Sequence, residues 1–138
     1  MTNFEKIPDI NKMDSDKPMV PISVIADMLK VHSRTLRIYD NEGLLTPSRS
    51  LANRRLYSFN DIQRGKFIQY LTRELGINLA GIKIIFYLLK QQKIQPDKYI
   101  EHISEISHEL SISSEIQKEN RRKFSKRGKK FKFFEDEK

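Results

Sequence analysis

The sequence contains no cysteine and no tryptophan among its 138 residues. Without cysteine the chain has no disulfide, no thiolate metal site and no cysteine nucleophile, and it suits a reducing compartment. No apolar run approaches the roughly 18 residues needed to span a bilayer, and the N-terminus lacks an apolar signal stretch. We therefore expect a soluble cytoplasmic protein that does not bind membranes.

Recognisable catalytic patterns are also missing. The sequence offers no nucleophile–base pair, no glycine-rich phosphate loop and no set of metal ligands. Of its three histidines, His102 and His108 are six positions apart and fall on different faces of a predicted helix, so they do not form a metal-binding pair. We expect no enzymatic activity, no metal and no cofactor.

Positive charge is what the chain has in excess, with a formal net charge of +8. Residues 118–138 hold ten Lys or Arg against four acidic residues, so most of the excess lies there. A basic balance favours a polyanionic partner, nucleic acid first. Apolar residues show no regular spacing at either end of the chain. We therefore predict a flexible N-terminal arm over 1–18 and a basic, disordered tail over 118–138.

Residues 19–90 have the pattern of a small helical head. Ser23 is predicted to cap a first short helix that ends near Leu29. Ser33 is predicted to cap a second, which stops before Gly43. Two short helices joined by a three-residue turn form the helix-turn-helix pattern.

The next segment predicts a β-hairpin. Two β-capable runs, over 44–47 and 54–57, flank a polar, basic loop, which is the pattern of a wing. One further helix capped by Ser58 or Asn60, and another capped by Asn78, complete the predicted head.

Beyond a linker, a stripe of Tyr99, Ile103, Ile106 and Leu110 predicts an amphipathic helix over 96–117, which we interpret as a dimerisation helix. The sequence thus predicts a mainly α fold. A winged helix-turn-helix head is followed by a dimerisation helix and a basic disordered tail.

The candidate DNA-binding residues lie in the second helix and in the wing. Backbone N–H groups at the start of the helix favour phosphate, and Arg34 and Arg37 project from one side toward base edges in a major groove. The wing arginines beside Asn53 suit flanking phosphates or the minor groove. The predicted set is Ser33, Arg34, Thr35, Arg37, Tyr39, Arg49, Asn53, Arg54, Arg55 and Tyr57.

Three of these residues have a second interpretation. Tyr39 suits phosphate contact and core packing equally, whereas Tyr57 is better explained as a packing residue that supports the wing. Arg55 is equally suited to an ion pair with Asp61, which leaves Arg54 as the better candidate for DNA.

Three motifs fall inside this block: TLRIYD at 35–40, GLLTPSR at 43–49 and NRRLY at 53–57. They resemble the motifs T-L-R-x-Y-E, G-L-L-x-P-x-R and N-R-R-x-Y of the MerR family of transcriptional regulators. The one departure is Asp40 in place of the usual Glu, which keeps the charge. The resemblance covers about residues 19–90.

Within that family, the stretches 53–58 (NRRLYS) and 76–83 (GINLAGIK) are most similar to the HspR-type heat-shock repressors. The resemblance implies a homodimer, paired through an antiparallel coiled coil, that binds inverted repeats of double-stranded DNA and represses chaperone operons. It also implies that a chaperone acts as a modulator. It places DNA contacts on Arg34, Thr35, Arg37, Tyr39, Asn53, Arg54, Arg55 and Tyr57; Ser33 is added from its predicted cap position.

Two other functions remain open from the sequence. The basic tail suggests an RNA-binding protein, and the C-terminal segment suggests an adaptor that docks a chaperone. Comparing duplex DNA with structured RNA, and deleting residues 118–138, would separate these possibilities from a DNA-binding regulator.

Overall fold

Residues 14–112 and 114–126 are described by the computed structural model of the chain. Helices dominate, and three short strands form one small sheet. In chain order the elements are β1 (Val20–Pro21), α1 (Ile22–Leu29), α2 (Ser33–Asn41), β2 (Ser48–Arg49), β3 (Arg55–Tyr57), α3 (Phe59–Arg73), α4 (Leu79–Gln91), a 3-10 turn (Pro96–Lys98), α5 (Tyr99–Glu109) and α6 (Ser114–Lys126).

The core lies where α1, α2, α3, α4 and β3 meet. Apolar residues at helical spacing supply it, and each fully buried large side chain contributes roughly 1.5–3 kcal/mol through burial. The largest side chains that are fully buried are Tyr39, Tyr57, Phe67, Ile25, Leu36, Leu45, Ile68, Leu71 and Ile82.

A close approach of α1 to α3 depends on Gly65. A Cβ atom at this position would lie 2.5 Å from Cδ1 of Leu29, which is itself buried. A larger residue would overpack this contact. The missing side chain therefore sets how closely the first helix sits on the third.

The sheet has the strand order β1–β3–β2, and both pairings are antiparallel. Ser48 lies opposite Leu56, which confirms the predicted hairpin. The first strand of the hairpin, however, was expected over 44–47. Leu44 and Leu45 instead pack into the core, at 7% and 1% exposure, so the strand begins only after Pro47.

Two predicted helix caps are wrong. Helix α1 begins at Ile22, one residue before Ser23, and no side chain caps it. Helix α2 includes Ser33 as its first residue, and its cap is His32, whose Nδ1 accepts a hydrogen bond of 3.1 Å from the N–H of Arg34. An imidazole can replace the usual hydroxyl because it offers an equivalent acceptor.

Two other caps are confirmed. Ser58 and Asp61 form a capping box at the start of α3, so Ser58 and not Asn60 is the cap. The Asn78 side chain accepts a 2.9 Å hydrogen bond from the N–H of Gly81 at the start of α4. These bonds satisfy backbone donors that a helix leaves unpaired at its N-terminus.

The predicted helix over 96–117 is broken. Helix α5 ends at Glu109, and Ser111 adopts a left-handed backbone with φ of 60°. The chain then begins α6, which runs to Lys126. Tyr99, from the predicted dimer stripe, packs inside the head against Phe67, with ring centroids 5.1 Å apart. Part of the stripe thus belongs to the core of the single chain.

Helix α6 overlaps the segment predicted as a disordered tail, since 118–126 are helical; the rest of that prediction lies outside the described residues. The helix is tied to the end of α3. The Asn120 side-chain amide donates a 2.9 Å hydrogen bond to the Glu74 carbonyl, and Arg121 forms an ion pair with the Glu74 carboxylate. A Cβ at Gly76 would lie 3.0 Å from Asn120, so the glycine leaves room for this contact.

Of the predicted N-terminal arm over 1–18, the first thirteen residues lie outside the described part of the chain. The remainder contacts the start of α3. The N–H of Asn60 donates to the Ser15 carbonyl at 2.9 Å, and its side-chain amide donates to Asp16 at 3.0 Å.

The contrast between the two serines gives a stability test. We expect Ser58→Ala to lower the free energy of unfolding by about 1 kcal/mol, because it removes a cap. Ser23→Ala, the matched control, should change it by less than about 0.5 kcal/mol, because Ser23 is not a cap. Urea denaturation measures both values, and equal losses would contradict the assignment of the caps.

Candidate nucleic-acid interface

Helix α2 has one face in the core and the other in solvent. Leu36 and Tyr39, three positions apart, are fully buried. Arg34 and Arg37, also three apart, are exposed on the opposite side. Three positions along a helix bring side chains to nearly the same face. The predicted arginine pair therefore projects together from the helix into solvent.

The wing is closed by a tight hydrogen-bonded turn. The N–H of Ser50 donates to the carbonyl of Arg54 at 2.9 Å, and the N–H of Asn53 donates to the carbonyl of Ser50 at 2.8 Å. Asn53 adopts φ of 64°, a conformation that asparagine tolerates better than most residues. The Arg49 guanidinium donates to the Asn53 carbonyl at 3.0 Å. Asn53 thus shapes the turn, and Arg49 holds it.

The wing is joined to α2 by an ion pair. Nε of Arg55, in β3, lies 3.1 Å from Oδ2 of Asp40, near the end of α2, and both side chains are largely buried. The alternative partner, Asp61, instead accepts hydrogen bonds from Ser58 and Arg64. The structure therefore does not show the alternative in which Arg55 pairs with Asp61. Arg55 instead pairs with Asp40, the residue that stands where the MerR-family motif has Glu.

Both tyrosines of the predicted set are inside the core, with no exposed surface. The Tyr39 hydroxyl accepts a 2.5 Å hydrogen bond from Nε2 of Gln69. Burial raises the pKa of the Tyr39 phenol well above its usual value, and Gln69 and Arg73 only partly offset this. Packing is the role that the geometry of these two side chains favours.

The electrostatic surroundings of Tyr57 show that charged residues of α2 and of the wing lie close to one another. Burial raises its pKa to about 12, while the charges of Arg55 and Arg37 lower it and those of Asp40 and Asp61 raise it. Arg37 from α2 and Arg55 from β3 therefore act on the same phenol. Within the described residues the Tyr57 hydroxyl has no hydrogen-bond partner.

The remaining predicted residues are distributed as follows. Ser33 and Thr35 are half-buried at the start of α2, whereas Asn53 and Arg54 are exposed on the wing. The structure thus presents the arginines of α2 and the wing loop to solvent and withdraws both tyrosines. Sequence reasoning missed Gln69, a buried amide in the middle of α3 that no local pattern distinguishes from a surface residue.

Other kinds of site find little support in the described part of the chain. No cluster there of three or more His, Asp or Glu side chains could hold a metal ion. No helix among the described residues has both the length and the apolar character needed to cross a membrane.

Comparison with known proteins identifies the family. The model for the MerR HTH family regulatory proteins matches residues 20–89, just over half of the chain. The chain belongs to this family, and it is a DNA-binding transcriptional regulator of the type that includes GlnR and HspR.

Three relatives illustrate this. The HTH-type transcriptional regulator GlnR of Bacillus anthracis is 37% identical over 90 residues, which span 65% of this chain and 68% of GlnR. The heat shock protein HspR of Streptomyces coelicolor is 42% identical over 80 residues, 58% of this chain and 53% of HspR. The HTH-type transcriptional regulator TnrA of Bacillus subtilis is 33% identical over 67 residues, 49% of this chain and 60% of TnrA.

The two buried tyrosines should respond differently to loss of the hydroxyl. Tyr39→Phe should lower the free energy of unfolding by about 1–2 kcal/mol, because it leaves the Gln69 amide buried without this partner. Tyr57→Phe should leave it unchanged or higher at pH 7, because that hydroxyl has no partner to lose.

The effect of Tyr57→Phe on the free energy of unfolding should depend on pH. In the unfolded chain a tyrosine titrates near pH 10, whereas in the fold Tyr57 keeps its proton up to about pH 12. The resulting stability is complete below pH 10 and is lost as the pH rises toward 12. Denaturation at pH 7 and pH 11 should show a smaller alkaline loss for Tyr57→Phe than for the wild type. An identical alkaline loss in both proteins would contradict a raised pKa of Tyr57 in the folded protein.

Proposed function

We propose that the chain acts as a homodimeric repressor that reads an inverted repeat in duplex DNA. In this proposal α2 lies in the major groove of each half-site, and the wing contacts the backbone beside it. Arg34 and Arg37 reach the base edges, and Arg49 and Arg54 neutralise phosphates. Arg55 holds the wing to the helix.

The observation that carries the proposal is the connection between α2 and the wing. A recognition helix and a wing bind one duplex only if their orientation is maintained. The Arg55–Asp40 ion pair spans the two elements at 3.1 Å, and the arginines on both sides of it are exposed. The adjacent surface therefore offers a polyanion several cations at once.

Exposed apolar side chains support dimerisation. Ile100 and Ile106 on α5 and Leu110 just after it are 37%, 40% and 68% exposed, and Ile84 and Leu88 on α4 are 59% and 51% exposed. Large apolar side chains left in solvent are available to a protein partner. We infer that α5 with part of α4, instead of one long coiled-coil helix over 96–117, provides the dimer contact.

The choice of target genes rests on the relatives. Identity to HspR, a heat shock protein by name, supports regulation of heat-shock genes, whereas the longer match to GlnR supports only a role in transcription regulation. Repression, with a chaperone as modulator, belongs to the proposal because of the resemblance to HspR-type repressors. We favour the heat-shock assignment, because 53–58 and 76–83 also resemble HspR-type sequences. Selection of bound genomic fragments would decide; a set without chaperone promoters would remove the heat-shock assignment and leave the DNA-binding function intact.

The DNA-reading role predicts a specific loss of affinity. Arg37→Ala should weaken binding to the selected inverted repeat by about tenfold or more, as expected for one lost base contact. Lys98→Ala, which removes an equally charged side chain outside α2 and the wing, should bind within about twofold of the wild type. Fluorescence anisotropy with a labelled duplex at fixed salt measures both.

An unlabelled structured RNA serves as competitor in the same assay. Equal affinity for RNA and duplex DNA, unchanged by Arg37→Ala, would contradict the proposal and favour an RNA-binding protein. Sedimentation equilibrium of the same preparation gives the oligomeric state, and a monomer on the intact inverted repeat would contradict the dimer.

A further inference from the structure

The tip of the wing carries an apolar side chain that no described residue covers. Among the large apolar side chains of the described residues, Leu51 is the most exposed, at 110% of the reference value; the next, Leu110, is at 68%. Ala52 beside it is also exposed. Polar residues or glycine are usual at such a turn, and this apolar pair is exposed and available to a binding partner.

This tip is held in one conformation. The two backbone hydrogen bonds between Ser50 and the Asn53–Arg54 segment close the turn. Oγ of Ser50 adds a third bond by accepting from the N–H of Arg54 at 3.1 Å. Since the Arg49 guanidinium also holds the Asn53 carbonyl, Leu51 is presented by a preorganised loop, which lowers the entropic cost of binding.

The charges around the tip indicate its partner. Arg49 and Arg54, one on each side of the tip, are exposed, and no acidic residue occurs over 48–57. An apolar point between two cations matches the minor groove of DNA, where two rows of phosphates border a less polar floor. Leucine is among the side chains that enter this groove in DNA complexes.

The position of Leu51 along the wing also agrees. Leu51 lies in the turn two residues beyond Arg49, so an Arg49 guanidinium on the phosphates at the edge of the minor groove would place the leucine toward the floor of that groove, which is about 7.5 Å deep. We propose that Leu51, supported by Ala52, inserts into the minor groove next to the half-site read by α2. The inference rests on the proposed function and adds a contact that does not depend on phosphate charge.

The test compares the salt dependence of binding between variants of the full chain, using the duplex selected by the wild type. Leu51→Ser should weaken binding about tenfold and leave the slope of log K against log [salt] unchanged, because no phosphate contact is lost. Arg54→Ala should reduce the magnitude of that slope by about 1. Leu51→Met, the matched apolar control, should bind within about twofold of the wild type.

Hydroxyl-radical footprinting gives a second readout. Leu51→Ser should lose protection of minor-groove sugars beside the half-site and keep protection within it. Wild-type affinity and footprint in Leu51→Ser, with Arg37→Ala still defective, would overturn the insertion and leave the proposed function standing. If the wild-type protein itself bound all DNA sequences equally, the insertion and the proposed function would both be overturned. Loss of binding to phosphatidylserine vesicles by Leu51→Ser, with DNA affinity unchanged, would assign the tip to lipid and also overturn the insertion.

Discussion

An ion pair between Arg55 in β3 and Asp40 in α2 joins the wing to the helix beside it. The wing pairs only through short strands, so this ion pair adds to the packing of Leu44, Leu45 and Tyr57 in fixing the orientation of the wing relative to α2. The two charged groups lie 3.1 Å apart and are about four-fifths shielded from solvent. Shielding strengthens their attraction, and it makes removal of one partner costly because the other remains buried and unpaired.

The two buried tyrosines, Tyr39 and Tyr57, also join the wing, α2 and α3. Tyr39 fills the inner face of α2 and bonds to Gln69 of α3, while Tyr57 lies under the wing within the electrostatic influence of Arg37, Arg55 and Asp40. Residues of α2, β3 and α3 thus meet through buried aromatic rings. This packing leaves the arginines, not the aromatic hydroxyls, exposed on this surface of the head.

Local signals predicted most of the head correctly. Four predictions needed only the few residues around each position, and the structure agrees with all four. They are the helix caps at Ser58 and Asn78, the left-handed stop at Gly43 and the shared face of Arg34 and Arg37. Two failures are local: Ser23 does not cap α1, and His32 instead of Ser33 caps α2. Two others depend on residues farther apart, namely the pairing of Arg55 with Asp40 and the burial of Leu44, which delays the first wing strand. The spacing of apolar residues also did not predict the break at Ser111.

In the proposed function, Arg55 positions the wing and does not touch DNA. A double-mutant cycle of DNA affinity, with Asp40→Asn, Arg55→Gln and the double variant, tests it most directly. If the claim holds, each single change weakens binding and the double variant is no weaker than the worse single variant, because both changes remove the same contact. Additive losses, or tighter binding by Asp40→Asn, would show that Arg55 contacts DNA itself and would contradict the account.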